Sequence, residues 1–462
     1  MTATALTAKD TGIYRQLIRI AAPIAMQSLL SAMVNMVSTM MVGRLGDAAV
    51  TAVGQSNRIM LVVNVLFFGI TAGSAIFISQ YWGARDLLNI RRVTGISITA
   101  TALSGLIVVI ALFLIPRTLV GVYIKDAAVL GQGVEYIQII AFSIVFSAIS
   151  FSVGGAMKSI GQARLPMVTS FVALTVNILL SYMLIFGRLG LPALGIRGAA
   201  IATVIARMVE CVLIVSIGYA VKSPVLGRLR EHFSYNASYF FTYLKTARWV
   251  ILNELFWVIG FSLYSAIYGR MGIAQAAAMQ VATTLFDMAF VFGIGIANAA
   301  SVLIGERLGA GDEAAAYDHG RKILWLTVAV SAVVAVGFVA GTEPFVRLFH
   351  LSEEASGYAR EVLVIMGIFM IPRIFNMVMI VGVLRSGGKA VFTMLLDVVG
   401  VWGIGLPFGW VAAFVLHLPL QLVFATVCME EAFKMVAGLL RFRRRKWIDR
   451  VIQDMPRLDS AV

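Results

Sequence analysis

Long runs without a single charged side chain set the strongest limit on what this chain can become. Residues 20–43, 59–84, 93–116, 136–157, 166–187 and 323–342 contain no Asp, Glu, Lys or Arg. Each reaches the roughly 20 residues that a helix needs to cross a bilayer. The composition agrees, since 60% of residues are hydrophobic and 13% charged, where a soluble domain holds about half and about a quarter. A transmembrane β-barrel would show short segments of alternating hydrophobicity instead. The chain is therefore expected to be an all-α integral membrane protein.

The second constraint is an internal repeat. Gly43-Arg44-Leu45-Gly46 returns as Gly269-Arg270-Met271-Gly272, and Gly69-Ile70 returns as Gly295-Ile296. At the same offset Gly83-Ala84-Arg85-Asp86 returns as Gly309-Ala310-Gly311-Asp312, and at almost the same offset Ser159, Gly161 and Ala163 are answered by Ser386, Gly388 and Ala390. A duplication predicts two lobes of one architecture related by a pseudo-two-fold axis, with cargo handled between them. The expected layout is an N-terminal six-helix lobe over 1–220, a cytoplasmic linker over 221–248, a C-terminal six-helix lobe over 249–440 and a basic cytoplasmic tail over 441–462. The apolar pattern puts helices near 16–42, 55–82, 91–116, 133–157, 166–187 and 198–220, then near 249–268, 275–306, 318–342, 358–384, 390–414 and 417–440.

A net charge of +14 raises the question of nucleic acid, and the placement of the bases answers it. With the N-terminus inside, the inner segments collect Lys9, Arg85, Arg91, Arg92, Lys222, Arg228, Arg385, Lys389 and the run Arg443-Arg444-Arg445-Lys446. The outer loops hold fewer, among them Arg44, Arg58, Arg117, Lys125 and Arg347. This bias is the positive-inside rule, so the charge reports a multi-pass protein of the cell inner (plasma) membrane with both termini cytoplasmic, and no nucleic-acid partner. Cys211 and Cys428 form no metal or redox spacing. The first apolar run lacks a cleavage signature and reads as a retained helix.

Motifs that would carry chemistry are missing from the sequence. Residues 382–390 approach a phosphate-binding loop, but the glycine spacing is one too long and Ala390 stands where Ser or Thr would bind magnesium. No zinc motif, nucleophile elbow or dinucleotide fingerprint occurs. The expectation is a protein that is not an enzyme, needs no cofactor and draws energy from an ion gradient.

Polar groups inside apolar spans are costly and mark function. Ser28, Ser31, Asn35 and Ser38 recur at helical spacing, as do Asn177 and Ser181, and these stripes are expected to line a cavity. Arg207 and Glu210, three apart, are expected to pair. In the second half Glu254, Asp287 and Asp397 lie in predicted spans with Arg373 as the internal base opposite them. Lys434, near Glu430 and Glu431, is expected to snorkel to the inner face.

At this point the chain resembles the multidrug and toxic compound extrusion (MATE) family of secondary transporters. The likeness rests on Asn35 through Gly46, on Asn177 through Gly187 with Gly190 through Thr203, on Asn253-Glu254-Leu255-Phe256-Trp257, on Gly305 through Gly311, and on Leu384-Arg385-Ser386-Gly387-Gly388. It implies twelve helices in two lobes, a central V-shaped cavity, and export of small cationic or amphipathic compounds in exchange for protons or sodium ions. Ser38 stands where the family often has an aspartate, and Ile374 where some members have a carboxylate, so of the family's coupling positions Glu254 is retained. The resulting expectation places cation coupling at Glu254 with Asp397 and Asp287 assisting, a coupling sodium ion, if that is the ion, at Glu254, and the cavity at Asn35, Ser38, Asn177, Ser181 and Arg373. The protein is expected to work as a monomer in the lipid bilayer. The runner-up is a lipid-linked precursor flippase of a related superfamily, which would need a cavity rich in bases.

Overall fold

A computed structural model of the chain describes residues 8–124, 126–349 and 352–456, and no β-strand occurs among them. Lys125 and Arg457 lie outside the described residues, as do the ends of the expected N-terminal lobe and basic tail. The chain divides into two compact units.

One unit comprises Met26–Ile78 and Asp86–Phe241. It contains most of α1 (Ala8–Gly43) and α2 (Asp47–Gly83), then α3 (Leu87–Leu114), α4 (Pro116–Gly121), α5 (Ala127–Ala141), α6 (Ser143–Ser159), α7 (Arg164–Phe186), α8 (Ile196–Ala220) and the single turn α9 (Leu229–His232). Its core gathers Phe67, Leu112, Ile137, Ile140 and Ile144. The expected helix over 133–157 is instead the pair α5 and α6, bent by 47°. The Ser143 hydroxyl donates to the Ile140 carbonyl at 2.6 Å, and a side chain that takes a helix carbonyl in this way bends the helix.

The other unit comprises residues 8–25, Ser79–Arg85 and Thr242–Pro456. It holds most of α10 (Ala237–Met271), then α11 (Ile273–Gly309), α12 (Glu313–Ala340), α13 (Thr342–Leu348), α14 (Glu353–Met377), α15 (Ala390–Val398), α16 (Leu406–Phe414) and α17 (Leu420–Arg443). Leu363, Met366, Met370, Val423, Phe424 and Val427 form the centre of its core. The helix expected from 249 starts at Ala237, because the aromatic run before it is not a solvated linker: Tyr239 and Tyr243 are buried.

Two π-helical segments interrupt this unit, Val378–Leu384 after α14 and Val399–Gly405 between α15 and α16. Such segments widen the helix by one residue per turn and are frequent at functional sites. Both adjoin the ionisable cluster described below.

The repeat is visible in the backbone. Gly46 and Gly272, which end the first repeated motif, have φ of 101° and 151°, values that L side chains resist. Arg85 and Gly311 likewise have φ of 58° and 83°, and the aspartates that follow cap the next helices: Asp86 accepts from Asn89 N and Asp312 from Ala315 N. Within the second unit, a Cβ on Gly83 would lie 1.9 Å from the Glu306 carbonyl oxygen, and one on Gly309 would lie 1.8 Å from that of Gln80. These four residues are matched pairs of the repeat, so the contact is reciprocal.

Among the described residues, ten helices are long and apolar enough to cross a membrane, eleven when the bent pair α5–α6 is taken as one span. Helix α17, 24 residues long, follows them; its apolar run is interrupted by Glu430, Glu431 and Lys434, all buried.

Candidate functional site

The ionisable residues of the second unit converge. Helix α10 supplies Asn253, Glu254 and Tyr264, α14 supplies Arg373 and Asn376, and α15 supplies Asp397. Helix α17 supplies Glu430, Glu431 and Lys434, which are three or four apart and so share one helix face. Arg385 comes from the 3-10 turn Arg385–Gly387 that follows the first π segment. That turn needs its glycines, since a Cβ on Gly387 would meet the Trp447 carbonyl oxygen at 1.9 Å and Gly388 has φ of 77°.

Arg385 Nη1 donates to Glu254 Oε1 at 2.8 Å, and the arginine side chain is 3% exposed. Next to Glu254, Asn253 Nδ2 donates to Asp397 Oδ2 at 3.0 Å. Asp397 lies 4.0 Å from Lys434 Nζ, which is closer to Glu430, at 3.3 Å, and is 3.9 Å from Glu431. Glu431 also receives Arg373 Nε at 3.2 Å and Asn376 Nδ2 at 2.8 Å. Glu430 accepts from the Tyr264 hydroxyl at 2.8 Å.

The second π segment makes room for this cluster. A Cβ on Gly400 would lie 2.4 Å from the Lys434 side chain, and one on Gly405 would lie 2.0 Å from the Tyr264 hydroxyl. Glycine at these two positions lets the lysine and the tyrosine–glutamate pair sit against the backbone.

The arrangement holds the acids Glu254, Asp397, Glu430 and Glu431 against the bases Arg385, Lys434 and Arg373. Fully ionised, it carries one negative charge in excess. Asp397 has the most distant base, and it is the acid left over when each base is matched to its nearest carboxylate.

Sequence reasoning placed part of this cluster. Glu254, Asp397 and Arg373 belong to it. Asp287 does not; it is exposed on α11 and has no ion pair or hydrogen-bonded side-chain partner among the described residues. The pairing of Glu254 with Arg373 is not found, because Arg373 is taken by Glu431 and Glu254 by Arg385. Lys434 does not snorkel to the surface: its side chain is 5% exposed and surrounded by carboxylates. Arg385, counted from the sequence as a cytoplasmic base, is instead an internal one. The available signal was in α17, where two acids and a lysine interrupt an apolar helix at spacings of three and four.

The first unit has a smaller network. Arg207 Nη1 meets Glu210 Oε2 at 2.7 Å, as the spacing predicts. Ser170 donates to the other oxygen of Glu210 at 2.5 Å and receives Gln27 Nε2 at 2.7 Å. Of the expected cavity residues, Ser38 and Asn177 meet at 3.5 Å and Asn177 reaches Thr203 at 3.3 Å. Ser181 is buried and Asn35 is exposed.

A multi-pass helical membrane protein with charged clusters buried in its spans, and no catalytic constellation in its sequence, has the make-up of a transporter. Comparison with known proteins identifies which kind. The MatE family model matches residues 23–183 and 250–411, one stretch in each half of the chain, and the chain belongs to this family. Members of the family are transporters and not enzymes, and they need no cofactor.

An uncharacterized transporter, YisQ, of Bacillus subtilis is 26% identical over 431 residues, covering 93% of this chain and 94% of that protein. A probable multidrug resistance protein, NorM, of Thermotoga maritima is 23% identical over 453 residues, covering 95% and 94%. Among solved structures, a mutant of the MATE transporter VcmN of Vibrio cholerae superposes with a TM-score of 0.87 at 20% identity, covering 96% of this chain and 99% of that one. A MOP superfamily transporter from Pyrococcus furiosus gives 0.85 at 18% identity, covering 94% and 96%. These likenesses establish the twelve-helix MATE fold.

Proposed function

We propose that the chain is a secondary antiporter that exports small cationic or amphipathic compounds, drugs among them, and that protons rather than sodium ions drive it. The observation that carries the coupling ion is the odd count in the second unit's cluster, where four buried or half-buried carboxylates face three bases. An unmatched charge in a poorly solvated site is costly, and a single proton removes it. Glu254 and Asp397 are the coupling carboxylates in this reading. They flank Asn253, and Asp397 is the acid with the most distant base.

A sodium ion at Glu254 fits less well. Hard cations take several oxygen ligands, and no group of three or more His, Cys, Asp or Glu side chains suited to a metal occurs among the described residues. Beside Glu254, Arg385 occupies its Oε1 and Asn253 Nδ2 occupies Asp397 Oδ2, and Asn253 Oδ1 is buried without a partner.

Exchange follows from mutual exclusion. A cationic cargo and a proton both answer the same excess negative charge, so each is favoured when the other is absent. Asp287, exposed on α11, is available to attract the cation. The relatives named as multidrug resistance proteins support the cargo class. We read the protein as a monomer of the plasma membrane; the bias of its basic residues supports cytoplasmic termini, and the repeat supports two six-helix lobes.

The test is reconstitution into vesicles, with uptake of a fluorescent cation driven by a pH gradient or by a sodium gradient. The proton reading expects uphill accumulation under the pH gradient and none under sodium alone. Accumulation under sodium at uniform pH would reverse the choice of ion, and downhill flux alone would mean a channel.

A further inference from the structure

Within the second unit lies a cavity of about 170 Å³. Its walls follow from helical spacing. Phe261, Tyr264, Ser265 and Tyr268 recur every three or four residues on α10, and Ala276, Met279, Gln280, Thr283 and Phe286 do the same on α11, so each helix turns one face to it. Phe424 and Val427 of α17 and Met366 of α14 complete the apolar lining.

The charged group in this lining is basic. Arg373 is there, with its guanidinium 4.9 Å from the centre of the Phe286 ring, and no carboxylate joins it in the lining. Only its Nε is spent on Glu431. That carboxylate is held from other sides by Asn376 and Lys434, so the remaining guanidinium N–H groups have no protein acceptor among the described residues. The Tyr268 hydroxyl also lines the cavity and has no hydrogen-bond partner among the described residues. The hydroxyls of Ser265, Thr283 and Tyr264 are already donated to Phe261 O, Met279 O and Glu430. The free polar capacity is therefore mostly donor, supplied by Arg373, Tyr268 and the Gln280 amide.

Size narrows the occupant. A dry cavity of about 150 Å³ holds a benzene ring, whereas whole drug-sized ligands take pockets of roughly 300–1,000 Å³. The site has room for one aryl ring and a small substituent. An aromatic wall with a guanidinium edge selects a ring that carries an anionic acceptor.

We infer that the second-unit cavity is a binding subsite for an aryl carboxylate, taken alone or as the acidic end of a larger amphipathic compound. This deepens the transport reading and rests on it for its biological sense, since it makes zwitterionic aromatic acids part of the cargo range. Binding itself does not depend on coupling. The acidic cluster behind Arg373 and the basic edge in front of it give the two ends of a zwitterion different partners.

The experiment uses purified full-length protein in detergent and fluorine NMR of 4-fluorobenzoate, with 4-fluorobenzamide and 4-fluorobenzylamine as matched neutral and cationic probes. The benzoate line should broaden and saturate, with the benzamide binding at least ten-fold more weakly, while any binding of the benzylamine belongs to the acidic cluster and is unchanged when the cavity is filled. Ala276→Trp, which fills the cavity from α11 and replaces no residue of the ion cluster, should abolish the benzoate effect, and Arg373→Lys should weaken it about ten-fold. Equal or tighter binding of the benzamide would overturn the inference, as would benzoate binding that survives Ala276→Trp or no saturable binding of the benzoate to the unmodified protein. These results leave gradient-driven transport, measured separately in vesicles, to stand or fall by itself.

Discussion

Arg385 Nη1 and Glu254 Oε1 are 2.8 Å apart, although 131 residues separate them in the chain. The bond ties the middle of α10 to the turn after the first π segment, and that turn departs from a regular helix to deliver the arginine. The pair therefore joins the carboxylate retained from the family motif to a base that regular α-helix would have aimed elsewhere.

Neutralising one coupling acid should uncouple the transporter without unfolding it. Glu254→Gln or Asp397→Asn removes the excess negative charge and keeps a hydrogen-bonding group, so the cluster resembles its proton-loaded form. Each variant should show a thermal midpoint in detergent within a few degrees of the parent and lose gradient-driven export in vesicles. Uphill export by a well-folded Glu254→Gln protein would remove Glu254 from the coupling role.

Removing the central base should do the opposite. Lys434→Met leaves Asp397, Glu430 and Glu431 to share Arg373, and breaking a buried ion pair from one side costs about 3–5 kcal/mol. The variant should express poorly or melt well below the parent. Adding Glu430→Gln should restore much of the loss, because it removes the acid nearest the lysine; a double variant no more stable than Lys434→Met would argue against a shared charge balance.

Glycine substitutions should separate close approach from helix propensity. Gly83→Ala and Gly309→Ala each place a Cβ under 2 Å from a backbone oxygen, so the backbones must part, at a cost of about 1–3 kcal/mol or more. Gly54→Ala, with nothing within 4 Å and a helical backbone, should be neutral or stabilising by up to about 1 kcal/mol. Thermal midpoints of the three variants check the contrast.

Topology is testable at α9. Cys211 and Cys428 are both buried, so Arg230→Cys on the exposed side of that turn supplies a distinct reactive thiol. It should resist an impermeant maleimide in intact cells and label after the membrane is opened. Labelling in intact cells would reverse the proposed orientation.

The fold was legible in the sequence because its causes are local and repeated. Charge-free runs set the spans, and the glycine and aspartate positions of the repeat reappear as positive-φ turns and helix caps. The Arg207–Glu210 pair was legible for the same reason, since partners three apart on one helix need no tertiary knowledge. Arg385 was not legible: beside Lys389 and a double glycine it looks like a loop base, and the π segment that carries it inward leaves no pattern in composition. Lys434 was misread because a long side chain near a helix end commonly reaches water, and only the carboxylates of α15 and α17 show that it has no need to. The cavity residues of α10 were recoverable, as four polar or aromatic side chains at a spacing of three and four.

The reciprocal contact of Gly83 with Glu306 and of Gly309 with Gln80 bears on ancestry. In a protein half this length, each copy of the motif would present its glycine to the carbonyl of a second molecule, and a contact in which residue i meets j while j meets i is the hallmark of a two-fold homodimer. Fusion of the two genes would have carried that dimer contact into one polypeptide. From then on the halves were free to diverge in their charges, as Ser28 and its counterpart Glu254 have, but not at the glycines where each still leans on the other's backbone.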